Sequence, residues 1–120
     1  MIIVTVRLVV SPEQRNDVLE TGRLLLDRTQ VQPGCISCRF YQDIADPNAL
    51  ILLEEWESQE DLDRHMLSEE YRMILALIDM ASEAPEIKFN TISHFSGMEV
   101  IQAAHQRTAN HQRGNRGTHA

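Results

Sequence analysis

The chain has 120 residues, of which 42% are hydrophobic and 24% charged, at a formal net charge of −7. That is the size and composition of one globular domain, not of a disordered chain. Residues 99–120 carry Arg107, Arg113 and Arg116 against Glu99, a sum of +2, which leaves −9 on residues 1–98; so acidic a body repels phosphate backbones and excludes nucleic acid as the main partner.

Two cysteines build no disulfide framework. Met1 to Val10 contains Arg7 and has neither a basic start nor a small-residue cleavage site, and no apolar run approaches the roughly 20 residues that span a bilayer. The expectation is a cytoplasmic protein that engages no membrane.

Ile2 to Val10 reads as a strand rich in Val and Ile, with both faces largely apolar. Ser11-Pro12-Glu13-Gln14 has the signature of a helix start, Ser11 as cap and Pro12 in the first turn. The helix is expected to run to about Thr29, with Val18, Leu19, Gly22, Leu25 and Leu26 as its apolar stripe. Gly22 weakens the helix but permits a close approach by another backbone or leaves room for a ligand. Pro33-Gly34 is a turn, Cys35 to Asp43 a second strand, and residues 43–48 a short loop of turn formers.

Leu50 to Trp56 is a third strand, antiparallel to its neighbour across that loop. Ser58 caps a short helix carrying Leu62, His65 and Met66, and Ser68 restarts a second one. There Tyr71, Ile74, Leu75 and Ile78 recur at i, i+3, i+4, i+7. Pro85 ends it, and Ile87 to Phe95 is a fourth strand. Met98 to His105 is expected as a last helical turn or an arm. From residue 106 the sequence lacks large apolar residues, so 1–105 is read as the domain and 106–120 as a disordered, basic polar tail, whose His111 and His119 match no metal-ligand spacing.

The order β-α-β-β-α-β predicts an α+β, ferredoxin-like fold: a four-stranded antiparallel sheet with the helices on one face. Strands one and three are apolar on both faces, whereas a sheet with one wet face alternates. The second face therefore requires a cover. A homodimer packed sheet to sheet is the simplest, and the Met98–His105 segment is the alternative.

Several pieces in sequence order carry a family resemblance. They are Pro33-Gly34-Cys35-Ile36-Ser37, Tyr41-Gln42-Asp43 with Asp46-Pro47-Asn48, Leu53-Glu54-Glu55-Trp56, and Leu62-Asp63 with His65 and Ser68. Over residues 2–97 the chain resembles the antibiotic biosynthesis monooxygenase (ABM) family. The resemblance implies a ferredoxin-like dimer whose two sheets form an α+β barrel. It also implies, for some members, oxidation of quinols or aromatic intermediates with O2 and with no metal or other cofactor. Others degrade haem, but here strand one offers Thr5 and Arg7, and Leu75 and Leu77 occupy the helix positions where an axial histidine would stand.

The resemblance places a pocket between helices and sheet, with Trp56 as a wall for a flat aromatic substrate; the alternative is a core tryptophan. Glu54 shares a strand face with Trp56 and needs a partner, His65 or an arginine such as Arg39. As a histidine, a residue type suited to general acid–base work, His65 fits removal of a phenolic proton, or else is a surface or capping residue. His94 is a weaker candidate. Glu54 and His65 are thus the catalytic candidates, and Trp56, Leu52, Phe40, Gly22, Leu62 and Tyr71 the substrate-binding ones. Leu52 stands where the polyketide-oxidising branch commonly has an asparagine. Two functions compete: a cofactor-independent monooxygenase of a small quinol-like or phenolic compound, and a non-catalytic dimeric small-ligand-binding protein. Cys35-Ile-Ser-Cys38 is a C-x-x-C opening a strand, where an odd separation is expected to send the thiols to opposite faces.

Overall fold

The computed structural model describes the backbone of residues 1–117 and the side chains of residues 1–114; His119 and the last part of the expected tail, 118–120, lie outside the described residues. The elements are β1 (Ile2–Val9), α1 (Arg15–Thr29), β2 (Cys35–Gln42), β3 (Ala49–Trp56), α2 (Gln59–Met66), α3 (Glu69–Asp79), β4 (Glu86–Thr91) and α4 (Met98–Gly117). The sheet order is β2-β3-β1-β4, antiparallel throughout. This is the ferredoxin-like α+β fold that the element order predicts.

Pairing register assigns the faces. Val4 lies opposite Glu54 and Val6 opposite Leu52, so Ile2, Val4, Val6 and Leu8 share one face with Leu50, Leu52, Glu54 and Trp56. This face packs on Val18 and Leu25 of α1, Leu62 of α2, and Ile74 and Leu77 of α3, which together form the buried core. Each fully buried branched side chain there contributes roughly 1.5–3 kcal/mol. The opposite face carries Ile3, Thr5, Arg7, Val9, Ile51 and Leu53, all half-buried. The helical layer stops short of β4: Ile87 and Phe89 face the helix side, opposite Val6 and Val4, yet remain 42% and 50% exposed.

Four local expectations change. Pro12–Gln14 form a turn, Gln14 N–H donating to Ser11 C=O at 3.0 Å, and α1 opens only at Arg15. The fourth strand ends at Thr91, not Phe95. Residues expected to be a tail are helical as far as Gly117, because Gln102-Ala103-Ala104 and the Gln and Arg residues that follow favour helix without needing an apolar face. Its described side chains are exposed apart from half-buried Ala103 and Ala104. The fourth concerns β2. Cys35 lies opposite Trp56 and Ser37 opposite Glu55, so Ile36 is an extra, bulged residue. The bulge resets the alternation and turns both Cys35 and Cys38 toward the helices, on one face and not on two.

Candidate functional site

Three residues named from the sequence meet between β3 and α2. Glu54 and Trp56 project from β3 onto the helix face, since side chains two apart share a face. Ser58 then caps α2, its Oγ accepting from Asp61 N–H at 3.2 Å. That cap fixes the phase of the helix and swings His65 back over the strand. The His65 ring stacks on Trp56 with centroids 4.6 Å apart at 26°, and Tyr71 of α3 meets its edge at 5.6 Å. His65 Nε2 lies 3.1 Å from Glu54 Oε2. The approach is close enough for an ion pair but too bent for a well-formed hydrogen bond. Trp56 Nε1–H points at Glu54 Oε1 at 3.5 Å, and the Cys38 thiol lies 4.0 Å from Oε2.

Glu54, His65 and Trp56 are 1%, 2% and 0% exposed. A carboxylate and an imidazole at such depth cost several kcal/mol each unless they satisfy one another. The Glu54 carboxylate marks its surroundings. Burial first, and this carboxylate second, push the Cys35 thiol up to about 11 and the Cys38 thiol further in the same direction. Burial and Glu54 likewise raise the Tyr71 phenol above its ordinary value. All three groups are held in their protonated, neutral forms.

A cavity of about 190 Å³ opens beside this cluster, lined by Gln32, Pro33, Asp61, Arg64, His65 and Ser68. A larger cleft of about 340 Å³ follows the free edge of β2 at Gln30, Ile36 and Arg39. It brings no acid–base pair together, so the smaller cavity is the chemical candidate. Among the described residues no group of three His, Cys, Asp or Glu side chains is arranged to hold a metal ion.

The other sequence candidates fall as follows. Leu52 and Leu62 are core residues beside the cluster. Phe40 lies opposite Leu52 and packs over Gly22; a Cβ at Gly22 would meet its ring at 3.5 Å, so Phe40 fills the space that Gly22 leaves. The expected substrate stack on Trp56 is occupied by the His65 ring. Arg39 pairs in register with Leu53 on the opposite face, which leaves His65 as the partner of Glu54. His94 is exposed and bonds Ser96 at 3.0 Å, apart from the cluster.

Sequence reasoning missed Gln32. Its Oε1 lies 2.7 Å from His65 Nδ1 and its Nε2 lies 3.0 Å from Glu70 Oε2. A glutamine next to a Pro-Gly turn carries no signal of a partner 33 residues away.

A ferredoxin-like α+β domain with a Trp–His–Glu cluster sealed between sheet and helices is thus the class of protein defined by fold and site. A sequence profile of the family described as antibiotic biosynthesis monooxygenase matches residues 1–77. The chain belongs to that family. A crystal structure of an antibiotic biosynthesis monooxygenase superposes with a TM-score of 0.70 at 23% identity, covering 78% of this chain and 100% of that one. A conserved protein from Methanosarcina mazei Go1 is 28% identical with a TM-score of 0.70, over 74% of this chain and 89% of its own. An uncharacterized protein of Synechocystis sp. is 25% identical over 93 residues, 77% of this chain; the match spans 63% of that relative's length.

Proposed function

We propose that the protein is a cofactor-independent monooxygenase of a small, single-ring phenol or quinol, working as a homodimer in the cytoplasm. The observation that carries the reading is the buried Glu54–His65 pair, 3.1 Å apart, whose histidine lines a cavity of about 190 Å³. A cavity of roughly 150 Å³ admits benzene, so the space suits one ring and not a polycyclic system. The absence of any helix long and apolar enough to cross a membrane, among the described residues, is compatible with that setting.

The substrate hydroxyl reaches His65 Nδ1 by taking the place of the Gln32 carboxamide oxygen. The Glu54–His65 pair accepts its proton, and the electron-rich ring then reduces O2. One oxygen atom enters the ring and the other leaves as water, with all the electrons drawn from the substrate. The protein supplies orientation, proton transfer and exclusion of water. Oxygen uptake by the purified protein, followed with a panel of one-ring hydroquinones, tests this. Uptake is expected to match formation of the hydroxylated quinone, and His65→Ala is expected to slow it by about 10²–10⁴-fold. A panel in which no compound raises uptake above buffer would overturn the reading.

One observation favours the second function, ligand binding without turnover. The His65 side chain is closed off from solvent, with Nδ1 held by Gln32 at 2.7 Å and Nε2 at ion-pair distance from Glu54. Quenching of Trp56 fluorescence by the same phenols, with no oxygen consumed, would move the assignment there.

A further inference from the structure

We propose that Gln32 is a positioning residue: its carboxamide oxygen fixes a proton on His65 Nδ1, and Glu70 fixes which end of the carboxamide faces the ring. An ionised carboxylate only accepts, so the Gln32 atom 3.0 Å from Glu70 Oε2 is the NH2 nitrogen. The Ser68 hydroxyl spends its proton on His65 C=O at 2.6 Å, which leaves a lone pair for the second Gln32 N–H at 3.4 Å. Both Gln32 donors are therefore committed on one side. The carboxamide oxygen must face His65, and at 2.7 Å a bare Nδ1 would set lone pair against lone pair. Nδ1 carries the proton.

On the other side of the ring Nε2 lies 3.1 Å from Glu54 Oε2, an approach that suits an imidazolium–carboxylate ion pair and not two bare acceptors in a dry core, although it is too bent for a well-formed hydrogen bond. With Gln32 in place the ring therefore carries both protons and takes no other. A ligand hydroxyl that displaces the carboxamide oxygen lets Nδ1 release its proton to solvent through the cavity; the ring is then neutral, with Nε2–H beside Glu54, and the bare Nδ1 can take the ligand's own proton. The consequence for turnover rests on the function proposed above. The assignment of the proton does not, and its test needs no substrate.

The test is nitrogen NMR of the imidazole in isotope-labelled full-length protein near neutral pH, which distinguishes a protonated ring nitrogen from a bare one. In the unaltered protein Nδ1 is expected in the protonated position. Glu70→Lys replaces the acceptor with a donor. It should turn the carboxamide over, set the NH2 against Nδ1, and move the Nδ1 resonance to the bare position. Glu70 is only half-buried, so the exchange is a surface change. Glu70→Lys combined with Gln32→Glu should restore the protonated Nδ1, because a carboxylate at position 32 accepts from both sides. A bare Nδ1 in the unaltered protein would overturn the proposal. So would an Nδ1 resonance unmoved by Glu70→Lys, or a double variant that fails to restore it. A merely structural role for Gln32 predicts none of these inversions. Absence of turnover with phenols, by contrast, would sink the function and leave the proton assignment standing.

Discussion

At the scale of single residues, burial first and the neighbouring Glu54 carboxylate second set the chemistry of the two thiols. Burial and Glu54 hold the Cys35 thiol up at about 11, against 9.0 for a free thiol. A folded value above the unfolded one means that the native state keeps the proton longer. The contribution of this thiol to stability is then fully present below about pH 9 and is lost as the pH rises through 11. Urea midpoints are expected to fall over that window, and to fall less in Cys35→Ser. Alkylation of the native thiols should be slow near neutrality and accelerate as the pH approaches 11. Rapid labelling of the native protein at neutral pH would contradict the placement of both sulfurs beside Glu54.

At the scale of elements, α1 shows how a weak helix position is used. Gly22 costs helix stability, but its missing side chain faces the Phe40 ring across an ordinary contact distance of 3.5 Å. Alanine fits without displacing the ring and removes backbone freedom from the unfolded chain. Gly22→Ala is therefore expected to raise stability by about 0.5–1 kcal/mol, read as a higher denaturant midpoint at unchanged slope. A loss of stability would show that Phe40 has no freedom to give. Gly34 is the opposite case. It sits at φ +80° with the Asp61 carboxyl where a Cβ would stand, so glycine is required on two counts.

The same scale shows what the sequence could and could not disclose. β1, β3 and α3 are legible because their apolar residues recur at periods of two and 3.6, and burial enforces those periods. The meeting of Glu54, Trp56 and His65 is legible because strand alternation, the Ser58 cap and the helical turn are all local rules. The bulge at Ile36 is not. It adds one residue to β2, brings both thiols of the C-x-x-C onto one face, and depends on register against β3. Neither is Gln32, whose contacts with His65 and Glu70 join segments far apart in sequence. The part of α4 beyond residue 105 reads as a tail because it lacks large apolar residues; the Ala, Gln and Arg content of α4 favours a helix that buries little.

At the scale of the whole molecule, the outer face of the sheet is unfinished. Ile3, Val9, Ile51 and Leu53 lie there half-buried, with Tyr41 47% exposed at one side and an Arg7–Asp43 pair at 3.7 Å among them. A second copy packed sheet to sheet would bury these apolar groups about a two-fold axis, and a stable interface needs roughly 1,200–2,000 Å² in total. Leu53 is the most informative residue, because it stands between Thr5 of β1 and Arg39 of β2 in the middle of that face. Sedimentation of the full chain is expected to give about twice the 13.7 kDa of one copy. Leu53→Asp puts a carboxylate against its own symmetry mate's apolar surface, and is expected to give the 13.7 kDa species with the circular dichroism of the sheet retained. A single-copy mass for the unaltered protein at micromolar concentration would refute the dimer. If Leu53→Asp stays dimeric while a chain ended after Gly97 does not, the interface belongs to α4, whose exposed Met98, Val100 and Ile101 are the other apolar surface in need of a cover.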